Sequence, residues 1–237
     1  PAAHQSMMEG RWDRKKFNGT ELAGKTIGIV GAGRIGGAVA KRAQAFEMKV
    51  LVFDPILTKL KAEALGVELV SIDELIERSD FITIHAPKSE KTNDLIRAEH
   101  FAKMKPNCRI VNCARGGIVN EQDLANALRE KKIAGAALDV YTSEPLESNP
   151  FLGLDNIVTT PHLAASTDEA QLTVSVDIAK QIVDYLTTGA VVNAVNVPSM
   201  DAETAKQLQP SLVLAERLGK FVSQYMKGRP TALQIAY

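Results

Sequence analysis

A doubly wound α/β fold with a parallel sheet is predicted by three features of this sequence. Short β-branched apolar runs recur along residues 26–160, and helical patterns separate them. That alternation calls for parallel strands joined by right-handed crossovers. A glycine-rich turn, Gly31-Ala32-Gly33-Arg34-Ile35-Gly36, lies between the first such strand and its crossover helix. Titratable residues then fall directly after later strands, at the sheet edge where such folds gather ligands.

Pro1–Gly10 has helical character and ends at Gly10, a candidate C-cap. Arg11–Phe17 mixes basic and aromatic residues around Asp13, which reads as a solvated face rather than a nucleic-acid patch. Asn18–Gly24 is a polar lead-in to the strand Thr26–Val30. A helix then opens inside the glycine turn, with Ile35, Val39, Ala43 and Phe46 on one face. The next strand, Val50–Phe53, ends in Asp54. In this order the residues suit a dinucleotide. Gly31 permits the tight turn, Gly33 lets the backbone approach a pyrophosphate, and Gly36 lets helix and strand pack closely. The helix N-terminus offers free N–H groups and a positive dipole end to the phosphates. Asp54 can accept hydrogen bonds from ribose hydroxyls and would repel a 2′-phosphate, which favours NAD over NADP. The sheet is therefore expected to be a Rossmann-type NAD-binding domain.

Further on, Leu57–Leu65 reads as a helix and Val67–Val70 as a short strand. Ser71 and Glu74 form a capping box for the next helix. Phe81–Ile84 is a buried strand that delivers His85-Ala86-Pro87, where Ala86 and Pro87 can lie flat along a cofactor and His85 reads as structural rather than catalytic. A helix at Ala98–Met104 precedes the strand Arg109–Asn112, which runs into Cys113-Ala114-Arg115-Gly116-Gly117. Glu121–Lys131 is an amphipathic helix, Ala134–Leu138 a strand ending at Asp139, and Asn156–Thr160 a last strand before Pro161-His162. Ser166 or Thr167 caps a long helix to about Thr187, with Leu172, Val176, Ala179, Val183 and Leu186 on one stripe. Val191–Pro198 reads as a linker, Asp201–Tyr225 as a helical stretch interrupted by Pro210, and Thr231–Tyr237 as a strand.

The bulk properties narrow the function classes. The chain has 237 residues, 45% hydrophobic and 24% charged, with 28 basic residues balancing 28 acidic ones. Zero net charge offers no electrostatic case for nucleic acid or an anionic membrane surface. No apolar run has the length of a membrane helix. Cys108 and Cys113 match no disulfide framework and no zinc pattern, so no metal is expected and the setting reads as reducing and cytoplasmic. The chain begins at Pro1 without an initiator methionine, and its end reads as a strand lacking a partner, so a fragment of a longer protein is expected.

Arg115, Glu144 and His162 each follow a strand and would face the crevice at the carboxyl edge. Hydride transfer at a 2-keto acid gives each a role. Arg115 presents a fork of donors to a carboxylate and to the developing oxyanion. His162 can donate the proton that makes the oxyanion a hydroxyl. Glu144 can accept the other imidazole N–H, fix the tautomer and favour the charged ring. Each also has a structural alternative: a surface arginine, a turn-closing acid before Pro145, or a loop histidine with its bonds met locally. Spacing alone leaves these open.

The strings GKTIGIVGAGRIG, NCARGGIVNEQDL, AALDVYTSEP and TPHLAASTDEAQ together resemble the D-isomer-specific 2-hydroxyacid dehydrogenases, over almost the whole chain. Within that family the likeness is greatest to the branch that oxidises D-3-phosphoglycerate to 3-phosphohydroxypyruvate for serine biosynthesis. The resemblance implies that Arg115 binds substrate, His162 is the acid–base and Glu144 supports it. It further implies that Arg34 and Ile35 meet the pyrophosphate, Asp54 the adenosine ribose, and Asp139 the nicotinamide carboxamide. His85, Ala86, Pro87, Cys113, Ala114, Ala164 and Ala165 would line the cofactor. It implies a small, phosphorylated 2-hydroxy acid as substrate and a homodimer or larger homo-oligomer. Residues 1–188 would be the NAD-binding domain with connecting and return helices, 189–198 a linker, and 199–237 the start of a further domain. A glyoxylate or hydroxypyruvate reductase of the same family, and an NAD-sensing corepressor on the same fold, are the competing readings.

Overall fold

The computed structural model describes residues 2–196, 202–226 and 228, and the chain divides into two units, Pro1–Ala164 and Ala165–Tyr237. In the first unit, α1 (Ala2–Met8) and a 3₁₀ turn (Arg14–Phe17) lead into β1 (Thr26–Val30), α2 (Arg34–Ala45), β2 (Lys49–Phe53), α3 (Lys59–Leu65) and β3 (Glu68–Leu69). The chain continues through α4 (Ile72–Arg78), β4 (Phe81–Ile84), α5 (Ala98–Phe101), β5 (Arg109–Asn112), α6 (Glu121–Arg129), β6 (Gly135–Leu138) and β7 (Ile157–Thr159).

The seven strands form one parallel sheet in the order β3-β2-β1-β4-β5-β6-β7. Strand order reverses between β1 and β4, which opens a crevice at the carboxyl ends of the strands. The pleat explains why both faces are apolar. Ile29 joins Ala40, Ala43, Val50 and Val52 in one cluster, while its neighbour Val30 joins Ile82, Ile84, Ile110 and Leu124 in the other. Each fully buried aliphatic side chain stabilises the sheet by about 1.5–3 kcal/mol.

Local signals set the helix ends. Ser71 and Glu74 make the capping box at α4, Asn120 caps α6 by accepting from the Asp123 amide, and Thr58 caps α3. One expectation fails at α2. The buried residues are Gly36, Ala40 and Ala43, while Ile35 is 68% and Phe46 61% exposed. The small-residue face packs because it lets the helix lie close to the sheet. Apolar spacing alone pointed to the wrong edge of that face. The basic–aromatic segment is solvated as expected: nothing in the 3₁₀ turn is buried and Trp12 is 79% exposed.

The second unit holds α7 (Asp168–Thr188) and α8 (Ala202–Tyr225). Thr167 caps α7 by accepting from the Ala170 amide at 3.1 Å, and Gly189 ends it at φ +73°. No residue of α7 is buried, so Leu172, Val176, Val183 and Leu186 stay exposed. The division between the two units falls at Ala164, before this helix. Pro210 does not interrupt α8, which runs through it: the missing N–H removes one bond from a helix of 24 residues. The expected strand Thr231–Tyr237 and the end of the expected linker lie outside the described residues. Among the described residues no helix is long and apolar enough to cross a membrane.

Candidate active site

Backbone builds one half of the crevice. Gly31 sits at φ +91°, and a Cβ there would lie 2.8 Å from the His85 carbonyl oxygen. A Cβ on Gly36 would overlap the Gly31 carbonyl. Both glycines therefore allow contacts between backbones that no other residue permits. Gly33 begins α2 with no side-chain cap, so the first-turn amides remain open, and nothing lies within 4 Å of its Cβ position. Arg34 and Ile35 are exposed on that first turn. An uncapped helix start, a turn without side chains and an apolar side chain held in solvent fit a bound dinucleotide.

Asp54 has three backbone partners. Its Oδ2 accepts from the Ala32 amide at 2.8 Å, and its Oδ1 accepts from the Ile56 and Leu57 amides at 2.8 and 3.2 Å. The carboxylate thus braces the glycine turn, and with about four acceptor sites it keeps one for a hydroxyl. His85 is half-buried, with Nε2 3.0 Å from Thr83 Oγ1, and burial pushes its imidazole pKa down. A neutral ring packed beside the glycine turn is a wall of the crevice. Ala86, half-buried, and Pro87, exposed, follow it.

Side chains build the other half. Arg115, Glu144 and His162 line one cavity of about 250 Å³, with Lys88, Gly116, Val140, Tyr141 and Thr142. His162 Nδ1 lies 2.7 Å from Glu144 Oε2, and Glu144 Oε1 accepts from the Tyr141 amide at 2.9 Å. The His162 bond, then the Tyr141 amide, hold the Glu144 carboxyl below its usual range. With Nδ1 committed to Glu144, Nε2 is the nitrogen left to meet a substrate. His162 sits at φ +56°, a conformation few side chains adopt and one often kept where function needs it.

Asp139 is what holds that loop. It is 3% exposed; Oδ1 accepts from the Leu163 amide at 2.7 Å and from the Thr160 hydroxyl, and Oδ2 accepts from the Ala164 amide at 2.8 Å. Burial pushes its carboxyl up, but these donors together with the His162 charge hold it below the ordinary range. Asp139 therefore aims the loop on which His162 stands, and Oδ2 has a lone pair free for an amide donor. Cys113 and Ala114 follow β5 beside it, and burial and then the Asp139 charge push the Cys113 thiol up. Ala164 lines this loop through its amide, whereas Ala165 begins the second unit.

Three residues that position the site escape a reading of the sequence. Asn112 is buried, accepts from the Ala114 amide through Oδ1 and donates Nδ2 to the Arg115 carbonyl, both at 3.0 Å. It shapes the turn that presents Arg115. Tyr141 donates its hydroxyl to the Thr160 carbonyl at 2.9 Å, tying the Glu144 loop to the His162 loop. Glu121 Oε1 accepts from both the amide and the hydroxyl of Thr142. The one available signal was Asn112, a polar residue ending an apolar strand.

Residues 1–164 match the family profile described as "D-isomer specific 2-hydroxyacid dehydrogenase, NAD binding domain". The chain belongs to this family. Its first unit, Pro1–Ala164, is thus the family's NAD-binding domain. Relatives named D-3-phosphoglycerate dehydrogenase include one from Methanocaldococcus jannaschii, 48% identical over 238 residues, covering 100% of this chain and 45% of the relative. One from Archaeoglobus fulgidus is 50% identical over 229 residues, covering 96% of this chain and 44% of the relative. The chain thus spans less than half the length of either. Among solved structures, a glyoxylate reductase from Paecilomyes thermophila superposes with TM-score 0.74 at 32% identity, covering 81% of this chain and 58% of that one. The NAD complex of a formate dehydrogenase from Staphylococcus aureus does so with TM-score 0.69 at 32% identity, covering 85% and 58%.

Proposed function

We propose that this chain supplies the NAD-binding and acid–base half of a D-3-phosphoglycerate dehydrogenase, which oxidises D-3-phosphoglycerate to 3-phosphohydroxypyruvate in serine biosynthesis. The observation that carries the chemistry is the 2.7 Å pair of His162 and Glu144 opening on the cavity that also holds Arg115. The names of relatives about half identical to it support the substrate.

Arg115 is a second-group anchor free of acidic partners among the described residues: its Nη1 donates only to the neighbouring Ala114 carbonyl. It receives the substrate carboxylate as a fork of N–H donors. Glu144 holds Nδ1–H of His162, so Nε2 carries the lone pair and takes the proton of the C2 hydroxyl. Glu144 then stabilises the imidazolium. When bound, NAD supplies the acceptor for the C2 hydride. In the reverse direction His162 returns its proton to the carbonyl oxygen while Arg115 holds the carboxylate in place. Asp54 excludes the 2′-phosphate of NADP by charge. Exposed apolar residues on α7, Leu172 and Leu186 among them, support a homodimer or larger homo-oligomer, and two unpaired cysteines support a cytoplasmic setting.

The test is NADH oxidation by the intact gene product with phosphohydroxypyruvate, glyoxylate and hydroxypyruvate as parallel substrates. A strong preference for the phosphorylated keto acid is expected. Preference for glyoxylate moves the protein to the reductases of the family and leaves the acid–base chemistry standing. NADH binding with turnover of none of the three overturns the reading in favour of a nucleotide sensor.

A further inference from the structure

The cavity holding Arg115, Glu144 and His162 has a further ionisable side chain in its wall, Lys88. It follows Pro87 at the end of the β4 loop and is exposed. Its ammonium lies over Gly117: a Cβ on that glycine would sit 3.2 Å from Nζ and 3.4 Å from Cε. Gly117 stands at φ +78° in the turn that presents Arg115. Two different strand ends, β4 and β5, thus bring a lysine and an arginine to the same hollow. Among the described residues Lys88 Nζ has no hydrogen bond or ion pair.

Charge in this cavity is not balanced. Glu144 is the one carboxylate in its lining, and His162 and the Tyr141 amide engage both its oxygens. Among the described residues, Arg115 and Lys88 remain as two cations without acidic partners. A simple 2-hydroxy acid brings one carboxylate, which suits the planar fork of Arg115. A compact ammonium on a flexible stem suits a second anion on the same molecule, because it can meet a phosphate from several directions.

We propose that Lys88 is a specificity-determining residue, its ammonium receiving the phosphate of the substrate whose carboxylate Arg115 holds. This rests on the phosphoglycerate reading above and assigns one of its contacts to this chain. Lys88 then sets the preference for a phosphorylated keto acid over the same molecule without its phosphate.

The experiment compares the intact gene product with its Lys88→Met and Lys88→Arg variants, using phosphohydroxypyruvate and hydroxypyruvate at saturating NADH. Lys88→Met is expected to raise KM for phosphohydroxypyruvate about tenfold or more, the effect of losing a bond to a charged group. KM for hydroxypyruvate and kcat for both should stay within about a factor of three, since neither carboxylate binding nor proton transfer has changed. Competitive inhibition by inorganic phosphate should weaken alongside, and Lys88→Arg should restore most of the preference. Equal losses on both keto acids, or a loss confined to NADH binding, overturn the assignment. A wild-type preference for phosphate that Lys88→Met retains overturns Lys88 alone. A wild-type enzyme indifferent to phosphate overturns the phosphoglycerate reading and this assignment together.

Discussion

At the β1–α2 turn the site is made by leaving side chains out; at the β5–β7 edge it is made by adding them and tying them down. Gly31 and Gly36 clear space between backbones, and the first-turn amides of α2 have no side-chain competitor. Across the sheet, Arg115, Glu144 and His162 are exposed groups, each held by a polar group of the surrounding structure. Asn112 shapes the Arg115 turn, the Tyr141 amide anchors Glu144, and Asp139 pins the His162 loop. The difference teaches that one half is shaped by backbone, with Asp54 bracing its turn, and the other by side chains that need several polar supports. Damage to the first should abolish nucleotide binding, and damage to the second should spare it.

The largest effect is expected from His162→Ala in the intact gene product. Loss of a positioned acid–base should lower kcat by about 10²–10⁴-fold, while NADH affinity, read by fluorescence titration, stays near wild type. Weakened NADH binding in this variant would erase the separation between the halves.

Gly36→Val tests the opposite side. The added carbons overlap the Gly31 carbonyl, so helix and turn must separate, at a cost of about 1–3 kcal/mol for overpacking. NADH binding should be lost in the same titration, and urea unfolding should report the destabilisation. Retained NADH affinity would show that the amides of α2 do not hold the pyrophosphate.

Asp139→Asn probes one of those polar supports. An amide NH₂ replaces one acceptor oxygen, so an N–H of Leu163 or Ala164, or the Thr160 hydroxyl, is left without its partner. Leaving such a group unsatisfied costs about 1–3 kcal/mol. The expected signature is a fall in kcat with a loosened His162 loop, measured by steady-state kinetics and thermal unfolding. If only NADH binding changes, Asp139 serves the cofactor alone.

The smallest effect is the pH dependence contributed by Glu144. Its folded-state pKa lies below the ordinary 4.5. The stability it contributes is therefore complete above the unfolded value and is lost as pH falls through the lower folded value. A wild-type protein should melt above Glu144→Gln near pH 6, and the gap should close on acidification below about pH 4.5. Because the side chain is exposed, the gap should be small and should shrink with added salt.

The fold was open to reading from local pattern because its signals are local. Seven apolar runs, a glycine turn between strand and helix, and the caps at Ser71 and Thr167 each act within a few residues. The meeting of Arg115, Glu144 and His162 in one cavity was readable for a related reason: parallel strands place whatever follows them at one edge. The α2 face was misread because period alone cannot weigh close approach against side-chain size, and Gly36 with Ala40 outranked Ile35. Pro210 was misread because a single lost hydrogen bond does not end a long helix.

What this sequence determined by itself is the order of strands and helices, the glycine turn between β1 and α2, and the placing of Arg115, Glu144 and His162 after strands of one sheet. Tertiary structure alone decided which polar residues hold them. Asp54 reaches back across 22 residues to the Ala32 amide, and Asp139 reaches forward 24 to the Leu163 amide. No periodicity encodes such pairings. They exist because buried carboxylates and amides must find partners, and only the closed sheet determines which partners are within reach.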